Sequence, residues 1–386
     1  MQIPNRVGEL DGIRGAAILL VMLFHFGSSF SPQPSLVYAA IQQAFGFGWC
    51  GVDLFFVLSG FLITGILLDS KGSRNYFRVF YWRRVLRILP LYYAAVFALF
   101  LVFPAVSHYL GGSWPEPSPT EQLWYWFHIS NWRTAFCPLV FWPASHFWSL
   151  AIEEQFYLLW PAIVLACSPR KLLRLCAVVI LGCCLLRNLP LFQALNAQYY
   201  NFLYRLTPFR MDSLLFGACG ALIVRDQKWT NIAKQYLGLL FVSGFLIIIA
   251  VVLVAGSTSP HSGPMTRFGY TALGLCFSCG VFYAFSHASS VDGIARFFRT
   301  PVLRSFGKYS YAMYVVHAPV AAYVLVHLGG HRVWSSGLTI LARIAVTYVL
   351  ALLSWNCIER HFLKLKDRLS DRPIKSPAAI TAPFPT

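Results

Sequence analysis

The chain has 386 residues, 57% of them hydrophobic and 17% aromatic, with only 12% charged and a mean hydropathy of +0.59. Soluble domains carry about 25% charged residues, so most of this surface cannot face water. Soluble globular, disordered, coiled-coil and disulfide-stapled secreted classes are excluded. The net charge of +17 lies in short loops between apolar runs, where Lys and Arg set topology. Nucleic-acid binding needs that charge on one soluble face and is set aside. The chain reads as an all-α, polytopic transmembrane helix bundle.

A bilayer core of about 30 Å takes roughly 20 apolar residues per helix. Runs of that kind fall at 12–30, 49–69, 85–106, 148–167, 173–190, 206–224, 236–255, 267–287, 307–328 and 338–358. The run at 173–190 is interrupted by Arg187 and closed by Pro190; the aromatic stretch Gln122 to Trp132 suits an interfacial segment. The first run has no small-residue cleavage site and is read as a retained helix rather than a signal peptide. Ten spans put both termini on one side. Most of the 31 basic residues share that side, including Lys71 to Arg87, Arg170 to Arg174, Arg296 to Lys308 and Arg360 to Lys375. The positive-inside rule makes it the cytoplasm and the 107–147 loop external. Residues 1–375 form one membrane domain, and the Pro/Ala/Thr-rich 376–386 is expected to be a disordered cytoplasmic tail.

Ionisable groups inside spans are costly and raise a functional-site hypothesis. In LDGIRGAAILLVMLFHF, Arg14 and His25 share a helix face, with a rise of ~16 Å between them. This puts Arg14 on the cytoplasmic side and His25 in the outer half. The structural alternative is a snorkelling Arg and a His bonded to a backbone carbonyl. In WCGVDLFFVLSGFLIT, Asp53 lies about one turn below the outer edge and must find a partner or neutralise. Ser59 and Gly60 follow at mid-depth, where close helix packing also accounts for them. The paired arginines of YWRRVLRILPLYY, Arg84 and Arg87, are three apart on one face. Such a fork suits phosphate, with topological anchoring as the alternative.

In FWSLAIEEQFYLLWP, Glu153 and Glu154 sit one to two turns from the outer edge. His25, Asp53 and the Glu pair then converge from three helices, as general-base catalysis by a carboxylate-oriented His requires. A structural salt-bridge network is the other reading. Tyr204 and Arg205, with Arg210 and Asp212, precede a span on the outer side and make an acceptor-site wall or a capped helix start, and His317, near mid-membrane, is a catalytic candidate or an interhelical hydrogen bond. The ten cysteines lie mostly in apolar runs, and Cys276 and Cys279 have no neighbouring His ligands, so no metal site is expected. Cys50 and Cys137 both face outside; their distance decides whether they pair.

These blocks, with YRLTPFRMDSLLFGA and YSYAMYVVHAPV in the same order, resemble the acyltransferase 3 family of integral membrane acyltransferases over about residues 8–365. The resemblance implies transfer of an acyl group, expected to be acetyl, from cytoplasmic acyl-CoA to a hydroxyl. The acceptor would be an envelope glycan, a lipid-linked glycan or a metabolite. The expected setting is the bacterial inner membrane among its lipids, with acyl-CoA as co-substrate and no permanently bound cofactor. By the same resemblance, the family's Arg and His fall on Arg14 and His25, its arginine pair on Arg84 and Arg87, and its acidic motif on Glu153 and Glu154. Some members carry a C-terminal hydrolase-like domain, which this length is not expected to accommodate. Two other classes compete with the enzyme. An exporter of a glycan or acylated metabolite could use the buried His and carboxylates as a proton relay, but no internal repeat or paired broken helix is seen. A sensor or scaffold leaves the buried charges unexplained.

Overall fold

The structure, a computed structural model, describes residues 7–27, 36–112, 114, 116–137, 142–288, 292–328 and 337–369. Every regular element among them is helical. The expected tail at 376–386 lies outside the described residues.

The first helices are α1 (Gly8–Gly27), α2 (Leu36–Gly46) and α3 (Gly51–Ser70). The next, α4 (Tyr76–Phe97), runs through a π-helical turn into α5 (Phe103–Tyr109). Two short helices, α6 (Pro119–Trp126) and α7 (Ser130–Phe136), occupy the loop expected outside. There Ser118 Oγ caps α6 by accepting from the Glu121 amide, as an N-cap serine does. Then come α8 (Phe147–Ala166), α9 (Pro169–Asn188), α10 (Pro190–Gln198) and α11 (Phe202–Arg205). Helices α9 and α10 meet at 65°, because Pro190 offers no amide to continue the helix. The last group is α12 (Met211–Ile223), α13 (Gln227–Ala255), α14 (Tyr270–Ser286), α15 (Gly293–Phe298), α16 (Pro301–Leu328), α17 (Gly337–Ser354) and α18 (Arg360–Leu369). Asp226 caps α13 through the amides of Lys228 and Trp229, and Gly256, at φ +60°, closes it in the left-handed conformation glycine adopts without strain.

Within the described residues, each of the ten apolar runs lies mainly on a helix. Among the described residues, six continuous helical stretches are long and apolar enough to cross a membrane: Gly8–Gly27, 39–70, 76–109, Gln227–Ala255, 265–286 and 337–365; the bent pair α9–α10 makes a seventh if it is one span. Helix α12 is shorter, at 13 residues. The chain is an integral membrane protein. Along α13, Leu239, Val242, Phe245, Leu246, Leu253 and Val254 are exposed. A stripe that apolar has no place against water and fits acyl chains.

Backbone contact at glycines holds the centre together. A Cβ on Gly60 of α3 would sit 1.8 Å from the Leu214 carbonyl oxygen of α12, and one on Gly217 of α12 1.9 Å from that of Val57. The same device joins α1 to α16: Gly15 lies against Leu303, and Gly307 against Asp11. In lipid, where apolar association has no water to escape, such close approach and its dispersion gain drive helix pairing. It also fixes the relative depth of α1, α3, α12 and α16, and with them every polar residue they carry.

Candidate functional site

Helices α1, α3, α4, α8 and α16 enclose a cavity of about 110 Å³. Arg14 enters it from α1, Ser59 from α3, Arg84 and Arg87 from α4, Glu153, Glu154 and Tyr157 from α8, and Tyr311 and Tyr314 from α16. Five expected residues are thus joined by a sixth, Ser59. Arg87 is exposed and Arg84 half-buried, so the arginine pair grades inward from an open mouth. Arg14 also reaches Asp11, at 3.4 Å. The Arg84 guanidinium lies 5.9 Å from the centres of both the Phe80 and Tyr157 rings, a cation–π setting that holds the fork flat. Its Nε is shielded and unpartnered.

On the opposite wall Tyr157 donates to Glu153 Oε2 at 2.8 Å, one turn back on α8, and is itself bonded to Ser59 Oγ. Ser59, Tyr157 and Glu153 therefore form one hydrogen-bonded chain across α3 and α8. The i, i+4 spacing of Glu153 and Tyr157 places both on one face.

A second cluster adjoins the cavity at its Tyr314 and Ser149 end. His25 Nδ1 lies 2.9 Å from the Val21 carbonyl. The His25 and His317 rings are 4.8 Å apart, as are those of His317 and His146. His317 Nδ1 meets the Tyr314 carbonyl at 2.6 Å, and His146 Nε2 the Val315 carbonyl at 3.2 Å. The Tyr314 ring packs 5.3 Å from His317 and 5.4 Å from His146, while its hydroxyl is 2.5 Å from Ser149 Oγ. Tyr314 and Ser149 are thus shared: both line the cavity and both touch the histidine cluster. With Nδ1–H directed at Val21, the neutral His25 ring leaves Nε2 as the basic nitrogen.

The remaining expected residues lie elsewhere. Asp53 is fully buried against Arg210 Nη2 at 2.8 Å and accepts from Ser213 Oγ at 2.8 Å. Arg210 stacks 4.0 Å from the Tyr270 ring centre and 5.1 Å from that of Tyr204. Asp212 pairs with Arg187 at 2.7 Å and accepts from Thr271 at 2.8 Å. Arg187 also donates to the Phe209 carbonyl, at 2.5 Å. These two ion pairs tie α3, α9, α12 and α14 together. Asp53 is accordingly brought to Arg210, and Glu153 and Glu154 to the arginine-lined cavity, whereas His25 has a backbone carbonyl at Nδ1.

His146, Ser149, Tyr157 and Tyr314 belong to the site although no single-residue argument singled them out. His146 stands just before α8, and Tyr157 and Tyr314 lie four and three residues from Glu153 and His317. Helical spacing is the signal that could have found them. Among the described residues no cysteine pair forms a disulfide. No group of three His, Cys, Asp or Glu is arranged to hold a metal among the described residues.

Comparison with known proteins identifies the family. Relatives include a peptidoglycan O-acetyltransferase, OatA, of Listeria monocytogenes, 26% identical over 92% of this chain and 55% of its own. A putative peptidoglycan O-acetyltransferase of Bacillus subtilis is 28% identical over 91% of this chain and 54% of its own. A putative O-acetyltransferase of Staphylococcus aureus is 27% identical over 92% and 57%. The chain spans about half the length of these curated relatives. No solved structure matches it. The family model described as an acyltransferase domain matches residues 7–355, nearly the whole helical bundle that carries the cavity and the histidine cluster, and the chain belongs to the acyltransferase 3 family.

Proposed function

We propose that this protein is an O-acyltransferase that moves an acetyl group from cytoplasmic acyl-CoA to a hydroxyl of an envelope glycan, with His25 as general base. One observation carries the reading. The arginine-lined cavity and the histidine cluster share Tyr314 and Ser149 as a common wall, which sets an anion-binding mouth and a base on adjoining sides of the same residues. Arg84, Arg87 and Arg14 suit the phosphates of a nucleotide-bearing donor. In the ten-span topology with cytoplasmic termini and bacterial inner-membrane location that we favour, that mouth opens to the cytoplasm. His25, half-buried and ~16 Å further along α1, faces the outer half, where an acceptor arrives. The relatives' printed names favour acetyl as the group and a peptidoglycan-type glycan as the acceptor.

A hydroxyl is a poor nucleophile at neutral pH and needs a base as the new bond forms. His25 Nε2 takes the hydroxyl proton while the Val21 carbonyl holds Nδ1–H. Glu153, half-buried beside Tyr157 and near the arginines, orders the donor cavity rather than the imidazole. Purified protein supplied with acetyl-CoA should release thiol only when a glycan acceptor is present. Positioned acid–base catalysis contributes about 10²–10⁴-fold, so His25→Ala should cut that release by about this factor while leaving folding and donor binding intact. His25→Gln should do no better, because an amide cannot take the proton. Near wild-type turnover in a folded His25→Ala protein refutes the base.

A further inference from the structure

Arg205 has no task in the account so far. Among the described residues, Arg14, Arg133, Arg187, Arg210, Arg225 and Arg299 each form an ion pair with a carboxylate. Among the same residues no ion pair involves Arg205. Its Nε and Nη1 are shielded from water and have no hydrogen-bond partner. The side groups that feel its charge are the hydroxyls of Tyr125, Tyr204 and Tyr314 and the imidazoles of His25 and His261. None of them is a carboxylate. Arg205 is half-buried, and shielding part of a guanidinium without a counter-anion costs free energy that the neighbouring tyrosine hydroxyls offset only in part.

The backbone beneath it is nevertheless fixed with care. Asn131 Nδ2 of α7 donates to the Arg205 carbonyl at 3.2 Å and to Thr207 Oγ1 at 2.9 Å. Gln155 of α8 donates to Asn131 Oδ1 at 2.9 Å and accepts from Thr207 Oγ1 at 2.5 Å. Asn131 is fully buried, and Gln155 directly follows Glu154. Arg205 is therefore tied to the same helix that carries the cavity's acids. Its charge reaches both Tyr314, the shared wall, and His25.

We propose that Arg205 is the oxyanion-stabilising residue of the transfer step. The inference rests on the reading of His25 as base. In that step the acceptor oxygen bonds to the thioester carbonyl carbon, its proton passes to His25 Nε2, and the carbonyl π pair moves onto the carbonyl oxygen. Arg205 donates to that oxygen while it carries the charge. The C=O then re-forms, the C–S bond breaks, and the thiolate leaves with the proton returned from His25. A fixed cation aimed at developing charge in a water-poor site costs no reorganisation during the reaction. Its cost is met once, on folding.

The test uses detergent-purified full chain, acetyl-CoA and a chitin-type oligosaccharide or a peptidoglycan disaccharide as acceptor. Arg205→Gln should lower kcat by about 10²–10³ with acetyl-CoA affinity and acceptor KM within twofold of wild type. Arg205→Lys should recover part of the loss, and exogenous guanidinium should restore turnover to Arg205→Ala but not to His25→Ala. That rescue is a response a merely structural residue would not give. Wild-type kcat in Arg205→Gln beside an inactive His25→Ala overturns the role of Arg205 and leaves the base standing. A raised acceptor KM with unchanged kcat overturns it too, making Arg205 a ground-state acceptor contact. Full activity of both variants overturns the base assignment, and the oxyanion site with it.

Discussion

The buried pair of Asp53 and Arg210 offers the sharpest separation of architecture from chemistry. Asp53 Oδ1 accepts from Arg210 Nη2 and Ser213 Oγ, each at 2.8 Å, and both members of the ion pair are fully buried. Arg210 also stacks 4.0 Å from the Tyr270 ring centre. Replacing Asp53 by Leu removes the only carboxylate in contact with Arg210 among the described residues and leaves a guanidinium stranded in the bundle. Breaking a buried pair in this way costs about 3–5 kcal/mol. Arg210→Met strands the carboxylate instead, at a similar cost. The Asp53→Leu/Arg210→Met double variant removes both charges and replaces them with apolar volume, a change that is often nearly neutral. Denaturant unfolding of the four proteins in mixed micelles should therefore give two strongly destabilised singles and a double within about 1–2 kcal/mol of wild type, a coupling that a double-mutant cycle reads directly. Acceptor-dependent thiol release should survive in the double variant. If the double variant is stable and folded but as inactive as His25→Ala, the ion-pair account is wrong and Asp53 acts on the reaction.

Three further outcomes follow from the same geometry. Arg84→Gln/Arg87→Gln should weaken acetyl-CoA binding without loss of membrane insertion, and the Lys pair should recover it only partly for want of the planar fork; unchanged affinity by equilibrium binding would make the pair a topological anchor. A cysteine at the exposed Glu116 should react with an impermeant thiol reagent in intact cells and one at the exposed Ser73 should not, the reverse pattern sinking the topology. Burial holds the loop imidazoles of His128 and His261 down at about 4, against 6.5 when exposed. Their folded forms bind fewer protons than the unfolded chain between those values. Their stabilising effect is thus full above pH 6.5 and is lost as the pH falls toward 4. Thermal unfolding should show that decline, and His128→Gln/His261→Gln should flatten it.

Composition and the spacing of apolar runs were enough to define a helical membrane protein, because a backbone in hydrocarbon must satisfy its own hydrogen bonds and helices do so within a single segment. Each of the ten runs lies mainly on a helix for that reason. Residues one helical turn apart were equally legible: Arg84 with Arg87 and the placement of Arg14 below His25 depend only on the helix repeat. Depth and partnership between helices were not. Asp53 and Glu153 read alike in sequence, each an acid roughly one to two turns from an outer edge. Yet the backbone contact of Gly60 with Leu214 seats α3 against α12, so that Asp53 meets Arg210. Helix α8 turns Glu153 toward Tyr157 and the arginine-lined cavity. His146 and Arg205 carry no periodic signal of their own, since one precedes α8 and the other ends the four-residue helix α11. Only the interhelical packing sets His146 against His317 and brings the charge of Arg205 to bear on His25, because which polar groups meet in a bundle is set by how closely the backbones approach, and that closeness is a property of helix pairs rather than of any one helix.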